Sequence, residues 1–428
     1  MKFIDLFAGL GGFHQGLTNT GEFECVFASE LDVDLQKLYY KNYGIVAEGD
    51  ITKIDEKDIP DHDILCAGFP CQPFSLAGSK SGSKCPTSGK LINDILRITK
   101  YHLPQFIMLE NVPNILTIEN GKFWNFIEKS FNKIGYKLIY KIISPEEIGI
   151  PQNRKRVFIL GGRDEKALNS FKWLSGIKVV KQRLSSLLET NRNNKQLEPE
   201  KMKQLNCWQY LLDECNIARL PSISIVAPEF KATYPLDFQN HSLEDMRQYR
   251  GAYGISLKKC QSWNEVMAKL PSYTRKTNRA PEWLLRSIRY SRDLYSEEST
   301  FLNRWVLTLD KRYNSWQILE WRGYSEKLSL SKHILQFRAS GIRVLKREKI
   351  PSLIAMTPTQ IPIIGSEMRY ISSIEAAKLQ HLHSLPYTLD NETHFFKALG
   401  NAVNAKIVEL LGRSVMEINT ITSLRGTL

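Results

Sequence analysis

The stretch Asp5-Leu6-Phe7-Ala8-Gly9-Leu10-Gly11-Gly12-Phe13 carries an apolar run, Phe3–Phe7, straight into a glycine-rich turn. An apolar strand that breaks into glycines ahead of a helix opens an α/β sheet, because glycines let the backbone approach a ligand closely at the sheet edge. His14 stands where a dinucleotide G-x-G-x-x-G fingerprint would place its last glycine, which disfavours a nicotinamide dehydrogenase. Outward from this stretch, the apolar runs Glu24–Ser29, Asp63–Ala67, Phe106–Glu110, Lys137–Ile143 and Arg156–Leu160 alternate with amphipathic stretches such as Asp94–Tyr101 and Phe123–Ile134. That alternation predicts a doubly wound α/β sheet over residues 1 to about 163, with a ligand crevice at its carboxyl edge. Beyond Gly162 the periodicity fades into Lys/Asn/Ser-rich sequence such as Thr190–Lys195. Helical patterning returns at Ile371–Gln380, with a Ser372-x-x-Glu375 capping box, and at Ala402–Ser414. The expected division is a ligand-binding α/β domain over 1–165, a second, smaller domain over 170–350, and a return segment over 355–428 that completes the first.

Charge separates these parts. The 428 residues carry a net +13, yet residues 171–350 hold 32 Lys+Arg against 18 Asp+Glu while the remainder holds 26 against 27. A basic excess confined to one segment and interleaved with Trp208, Tyr249, Tyr253, Trp263, Tyr273, Trp283, Tyr290, Trp305, Tyr313, Trp316 and Trp321 predicts a polyanion-binding surface. The clusters Arg275, Lys276, Arg279 and Arg343, Lys346, Arg347 are its expected phosphate contacts. No run of about 18 uncharged apolar residues occurs, and Met1–Asp5 lacks a signal-peptide layout, so a membrane or secreted protein is disfavoured and a cytoplasmic location is expected. Seven cysteines without a C-x-x-C pair predict reduced thiols and no metal site.

Several side chains at predicted strand ends carry chemistry. Glu30, roughly 20 residues beyond the first loop, can accept two ribose hydroxyls, and Asp50 can accept from an adenine amino group. Together with the glycine loop they point to an adenosine-bearing cofactor without a pyrophosphate. Cys71, in Gly68-Phe69-Pro70-Cys71-Gln72-Pro73-Phe74-Ser75, lies between two prolines in a loop after a strand, a rigid and exposed setting suited to a nucleophile. Glu110 ends the buried run Phe106–Leu109, where partial burial raises a carboxyl pKa and lets it donate a proton. Gln152-Asn153-Arg154-Lys155-Arg156 then brings cations into the last predicted strand.

These motifs in this order, with the late Gly400-Asn401-Ala402-Val403-Asn404, resemble the cytosine-C5 DNA methyltransferases over residues 1 to about 163 and 365 to 418. The resemblance implies a Rossmann-like methyltransferase sheet with a target-recognition domain. It implies that Phe7, Gly9, Leu10, Gly12, Glu30, Asp50, Pro70, Leu91 and Asn401 line an S-adenosylmethionine pocket, and that Cys71, Glu110 and Arg156 surround the target base, with Arg154 nearby on the backbone. Arg369-x-x-Ser372-x-x-Glu375-x-x-x-Leu379-Gln380 is similar to the family's penultimate motif, which supports the fold. Two departures stand out: Leu31 replaces a frequent aromatic beside the cofactor, and Cys85-Pro86-Thr87-Ser88-Gly89 replaces the usual Asp-x-Arg-Gly. With no segment ahead of the first motif, the chain resembles the compact prokaryotic or phage type. Such an enzyme is expected to be a monomer without an obligate protein partner that modifies duplex DNA in the nucleoid, as a restriction-modification or solitary methylase. The alternative within the same pattern is a tRNA cytosine-C5 methyltransferase; a further alternative is a DNA-binding protein with an inactive catalytic domain.

Overall fold

The computed structural model describes residues 1–70, 88–174, 179–189, 195–215, 224–275, 281–324, 328–353 and 360–426, apart from the side chains of 88–90 and 420–426. Two compact units emerge: Met1–Glu189 with Ile350–Pro358 and Ser372–Leu428, and Thr190–Lys349 with Thr359–Ile371. The first boundary falls at 189/190 instead of 165–170, because Leu168 and Phe171 are buried in the first unit's core. Residues 359–371, expected in the return segment, belong to the second unit.

In the first unit, β1 (Lys2–Leu6), α1 (Gly12–Thr18), β2 (Glu24–Ser29), α2 (Val33–Tyr43), β3 (Ala47–Glu48), β4 (Ile64–Ala67), α3 (Ser88–His102), β5 (Phe106–Asn111), α4 (Lys122–Lys133), β6 (Lys137–Ile143), β7 (Gln152–Asn153), β8 (Arg156–Gly162) and α5 (Glu165–Asn169) follow in order. All of these strands except β7 form one seven-stranded sheet, β3-β2-β1-β4-β5-β8-β6. Strands β4 and β5 are buried throughout, as central strands covered on both faces must be. Strand β8 runs antiparallel to β5 and β6, a direction that an apolar run alone does not encode. Register aligns Leu6 with Ser29 and Ala67, and Ala67 with Leu109. Phe7, Glu30 and Gly68 therefore leave the sheet at one carboxyl edge, where Glu110 lies near the end of β5.

The second unit contains α6 (Pro199–Glu214), β9 (Ser224–Val226), α7 (Leu243–Met246), α8 (Trp263–Lys269), α9 (Glu282–Glu297), α10 (Ser299–Thr308), β10 (Ile318–Arg322), β11 (Ile334–Arg338) and β12 (Gly341–Leu345). Its core overturns part of the charge-based reading. Trp208, Trp305, Trp316 and Trp321 are buried in one apolar cluster instead of facing a polyanion. Their indoles are satisfied internally where the fold allows: Trp208 Nε1 donates to the Trp316 carbonyl at 2.9 Å and Trp305 Nε1 to that of Cys207 at 2.8 Å. Of the aromatics named above, Trp283 and Tyr313 are exposed. Two of the expected phosphate contacts are also engaged within the protein. Arg343 pairs with Glu320 at 2.7 Å, and Arg275 donates to the Met267 and Ala268 carbonyls at the end of α8. Lys276 and Arg279 lie outside the described residues.

The remaining elements are β13 (Ile350–Pro351), β14 (Ile363–Ile364), β15 (Arg369–Tyr370), α11 (Ser373–Gln380), α12 (Glu392–Asn401) and α13 (Ala405–Gly426). Strands β14 and β15 extend the second unit's sheet, ordered β15-β14-β11-β12-β10-β9, whereas β13 pairs with β7 in the first unit. The expected capping box starts α11: Ser372 Oγ accepts from Glu375 N, and the Glu375 carboxylate accepts from Ser372 N.

Helix α13 packs on α1, and the fit depends on the absence of side chains. A Cβ at Gly12 would lie 2.3 Å from the Val403 carbonyl oxygen. Gly12→Ala is expected to destabilise the first unit by about 1–3 kcal/mol, the usual cost of overpacking. Scanning calorimetry would read this as a lower unfolding midpoint; an unchanged midpoint would show that the return segment is not held against α1.

Candidate active site

The carboxyl edge opens into a cavity of about 620 Å³, within the roughly 300–1,000 Å³ range of small-molecule sites. Phe7, Gly9, Gly12, Glu30, Asp50, Pro70, Leu91 and Asn401 line it, and Glu110 and Arg156 line the same space. Leu10 does not. It is buried beneath the loop, and its carbonyl accepts from the Tyr43 hydroxyl at 2.9 Å. Cys71 and positions 85–87 of the altered loop lie outside the described residues; Ser88 and Gly89 begin α3.

The glycine loop is shaped from both sides. Phe7 leaves β1 at φ 58°, and Gly11 adopts φ 75° against the Tyr43 ring, a conformation and a contact that favour glycine. Below it, His14 Nδ1 lies 2.8 Å from the Tyr39 hydroxyl, and the imidazole stacks on Tyr43 with ring centroids 3.9 Å apart. Burial drives the His14 pKa down to about 4, so this residue is a neutral packing element at physiological pH. Above it, Glu30 Oε2 accepts from Gly9 N at 2.8 Å and Oε1 from Asp32 N at 2.9 Å. Each carboxylate oxygen retains a further lone pair for a ligand hydroxyl. Asp50 caps a short turn, accepting from Thr52 N and Oγ1, and those hydrogen bonds hold its carboxyl below the ordinary value. Leu31, in the position where the family often has an aromatic, is 72% exposed and lines the cavity.

At the other end, Asn111 Nδ2 donates to the Phe69 carbonyl at 3.0 Å, tying the end of β5 to the loop that leads toward Cys71. Glu110 is buried, and burial pushes its pKa up while Arg156 and Arg154 oppose the shift. Arg156 Nε lies 3.0 Å from Glu110 Oε1, yet that oxygen has no aligned hydrogen-bond donor among the described residues. The pair is thus an ion contact with hydrogen-bonding capacity left over. Arg154 does not line the cavity; its guanidinium is buried on the carbonyls of Gly400 and Ala402.

The sequence reading missed α12 and with it part of the wall. His394, Lys397, Ala398 and Asn401 recur at helical spacing and all line the cavity. His394 Nε2 sits 2.8 Å from Asp32 Oδ2 at the mouth. An Asn391 cap three residues before His394, followed by the apolar pairs Phe395-Phe396 and Ala398-Leu399, is the signal that could have revealed it.

The fold and this edge define an α/β protein with a small-molecule cavity whose carboxylates suit an adenosine-bearing ligand. The chain belongs to the C-5 cytosine-specific DNA methylase family, which it matches over residues 1–417. It is 44% identical over 196 residues to the type II methyltransferase M.SsoII of Shigella sonnei, a match covering 45% of this chain and 51% of that one. It is 41% identical over 173 residues to the type II methyltransferase M.HhaI of Haemophilus parahaemolyticus, covering 40% and 52%. The chain thus spans about half the length of the curated relatives it matches. In fold it resembles a chain encoded within an E. coli prophage, with TM-score 0.53, 18% identity and coverage of 98% and 99%. It also resembles the S. pombe Dnmt2 methyltransferase, with TM-score 0.51, 16% identity and coverage of 98% and 99%. The family's methyl donor is S-adenosylmethionine, and the residues present fit it: a glycine cradle, paired acids at Glu30 and Asp50, and apolar walls at Phe7, Ile51 and Leu91. Among the described residues no helix is long and apolar enough to cross a membrane.

Proposed function

We propose that this chain transfers a methyl group from S-adenosylmethionine to C5 of a flipped-out cytosine in a specific duplex DNA sequence, as a modification methylase. The observation that carries the reading is the family match over residues 1–417 together with one cavity that runs from Glu30 and Asp50 to the Glu110–Arg156 pair. Glu30 would hold the ribose and Asp50 the adenine amino group, with Asn401 in the wall beside them. Bound there, S-adenosylmethionine supplies an electrophilic methyl group.

Cytosine C5 is a poor nucleophile until a thiolate adds at C6 and turns the ring into an enamine. Cys71 is the residue we assign to that addition. The electron pair moves toward N3, where a protonated Glu110 delivers its proton, and Arg156 donates to O2. Transfer of the methyl to C5 would leave S-adenosylhomocysteine; loss of the C5 proton to a base, elimination of the Cys71 thiolate and return of the N3 proton to Glu110 would then release 5-methylcytosine. The raised pKa of Glu110 and its unaligned Oε1 suit that step. A stacked base cannot reach such a cavity, so the target must be flipped out at a cost of a few kcal/mol. The net positive charge of residues 171–350 supports a role for the second unit in phosphate neutralisation and base reading.

Incubation with methyl-labelled S-adenosylmethionine tests the reading. Label is expected in duplex DNA, in C5 of cytosine at one sequence that bisulfite sequencing would define. Label in tRNA alone, or in neither polymer, would overturn it.

A further inference from the structure

Arg154 is 2% exposed and does not line the cavity. Its Nη2 donates to the carbonyl oxygens of Gly400 and Ala402, both at 2.9 Å, and Nη1 to Ser352 Oγ at 3.4 Å. Its own backbone N–H donates to Ser144 Oγ at 3.2 Å. Those two carbonyls flank Asn401, the last residue of α12. A helix leaves its final carbonyls without intrahelical donors and carries partial negative charge at that end, so a cation there is favoured. Asn404 Oδ1 accepts from Ile407 N at the start of the next helix. Ser352, Leu353, Gly400, Asn401 and Ala402 all line the cavity.

A buried arginine is expensive, and among the described residues this one has no carboxylate hydrogen-bonded to it. Burial and the neighbouring Arg156 press its pKa down while Glu110 opposes them, and Nε has no hydrogen-bond partner among the described residues. Such a cost persists where the group fixes a geometry that function needs. We infer that Arg154 is a positioning residue for the cofactor end of the cavity, holding Asn401 in the wall by clamping the carbonyls on either side of it, and that it contacts neither the target base nor a DNA phosphate. The inference rests on the cofactor reading of the cavity. It splits the two arginines of Gln152-x-Arg154-x-Arg156 by role: Arg156 faces the reacting base, whereas Arg154 reaches across a sequence separation of 246–248 residues to the C-terminal segment.

The test compares wild type with Arg154→Gln and Arg154→Lys, first without any ligand. Hydrogen exchange across residues 398–404 is expected to quicken at least tenfold in Arg154→Gln, with β5 and β8 unchanged. Lysine, which keeps charge and reach toward the carbonyls, is expected to restore part of the protection. Titration calorimetry with S-adenosylmethionine alone is then expected to show affinity at least tenfold weaker in Arg154→Gln and intermediate in Arg154→Lys. At saturating cofactor, turnover should stay within about threefold and the salt slope of DNA binding should be unaltered. Unchanged exchange at 398–404, or full cofactor affinity with lost turnover or a shallower salt slope, would overturn the inference. So would global unfolding of both variants, which would make Arg154 a residue of the fold at large. A wild type that binds no S-adenosylmethionine would instead refute the cofactor reading, while the exchange data would still decide the clamp.

Discussion

Cys71→Ala is expected to abolish methyl transfer while S-adenosylmethionine and DNA still bind. The variant removes one sulfur atom and therefore little contact surface, but it removes the only group assigned to the C6 addition, without which C5 has too little nucleophilicity to accept the methyl. A covalent step lost outright lowers kcat and kcat/KM together, and none of the described residues that line the cavity offers a thiol in its place. Single-turnover transfer of labelled methyl checks this. Calorimetry for the cofactor and a gel-shift assay for DNA would confirm that binding survives. Turnover above a trace would mean a different nucleophile, with Cys85 the nearest in sequence.

Glu110→Gln comes next in size, with turnover expected to fall by about two to four powers of ten, the usual worth of a positioned acid. Glutamine fills the same volume at the end of β5 and can still donate a hydrogen bond to N3, but it cannot deliver a proton there. Binding of DNA and cofactor should change far less, and an unaltered rate would move the proton to another donor. The substitution also has a pH signature. Burial holds the folded-state pKa of Glu110 above its unfolded value of about 4.3, so the stability it contributes is complete below that pH and is lost as pH rises through the folded pKa. Glutamine does not titrate. The stability of Glu110→Gln relative to wild type is therefore expected to rise as pH climbs through that window, in denaturant titrations run at a series of pH values. A difference that stays flat would mean that Glu110 is not held protonated by burial.

How much of this was legible in the sequence depends on which force decides each element. Strands such as Phe106–Glu110 were readable because a run buried on both faces must be apolar along its length, and the glycines at 11 and 12 because a close approach leaves no room for a Cβ, with Gly9 at a positive φ of 55°. Glu30, Asp50, Glu110 and Arg156 were placed at strand ends, and the sheet register brings those ends together in one cavity. Helix α12 was missed because it is short and its sequence, Glu-Thr-His-Phe-Phe-Lys-Ala-Leu-Gly-Asn, mixes weak helix formers with a glycine. Its helical state is a tertiary product: Phe395, Phe396 and Leu399 are buried and its end is held by Arg154. Trp208, Trp305, Trp316 and Trp321 of the second unit were misread for a related reason. Composition records that a large amphipathic ring is present, but whether it faces solvent or core is settled by the packing of α6, α10 and β10, which no local pattern encodes. Arg154 and Arg156 look alike in sequence; the break between β7 and β8 sends them to different partners.

The central claim, a thiolate of Cys71 adding to cytosine, is tested most directly with duplex DNA carrying 5-fluorocytosine at the methylated position, incubated with S-adenosylmethionine. Fluorine cannot leave C5 as a cation after the methyl has been added, so the elimination that frees the thiol is blocked. The wild-type chain is expected to form a denaturation-stable adduct whose crosslinked peptide, mapped by mass spectrometry, contains Cys71, and Cys71→Ala is expected to form none. An adduct that persists in Cys71→Ala, or a wild type that methylates ordinary DNA yet is never trapped, would contradict the account.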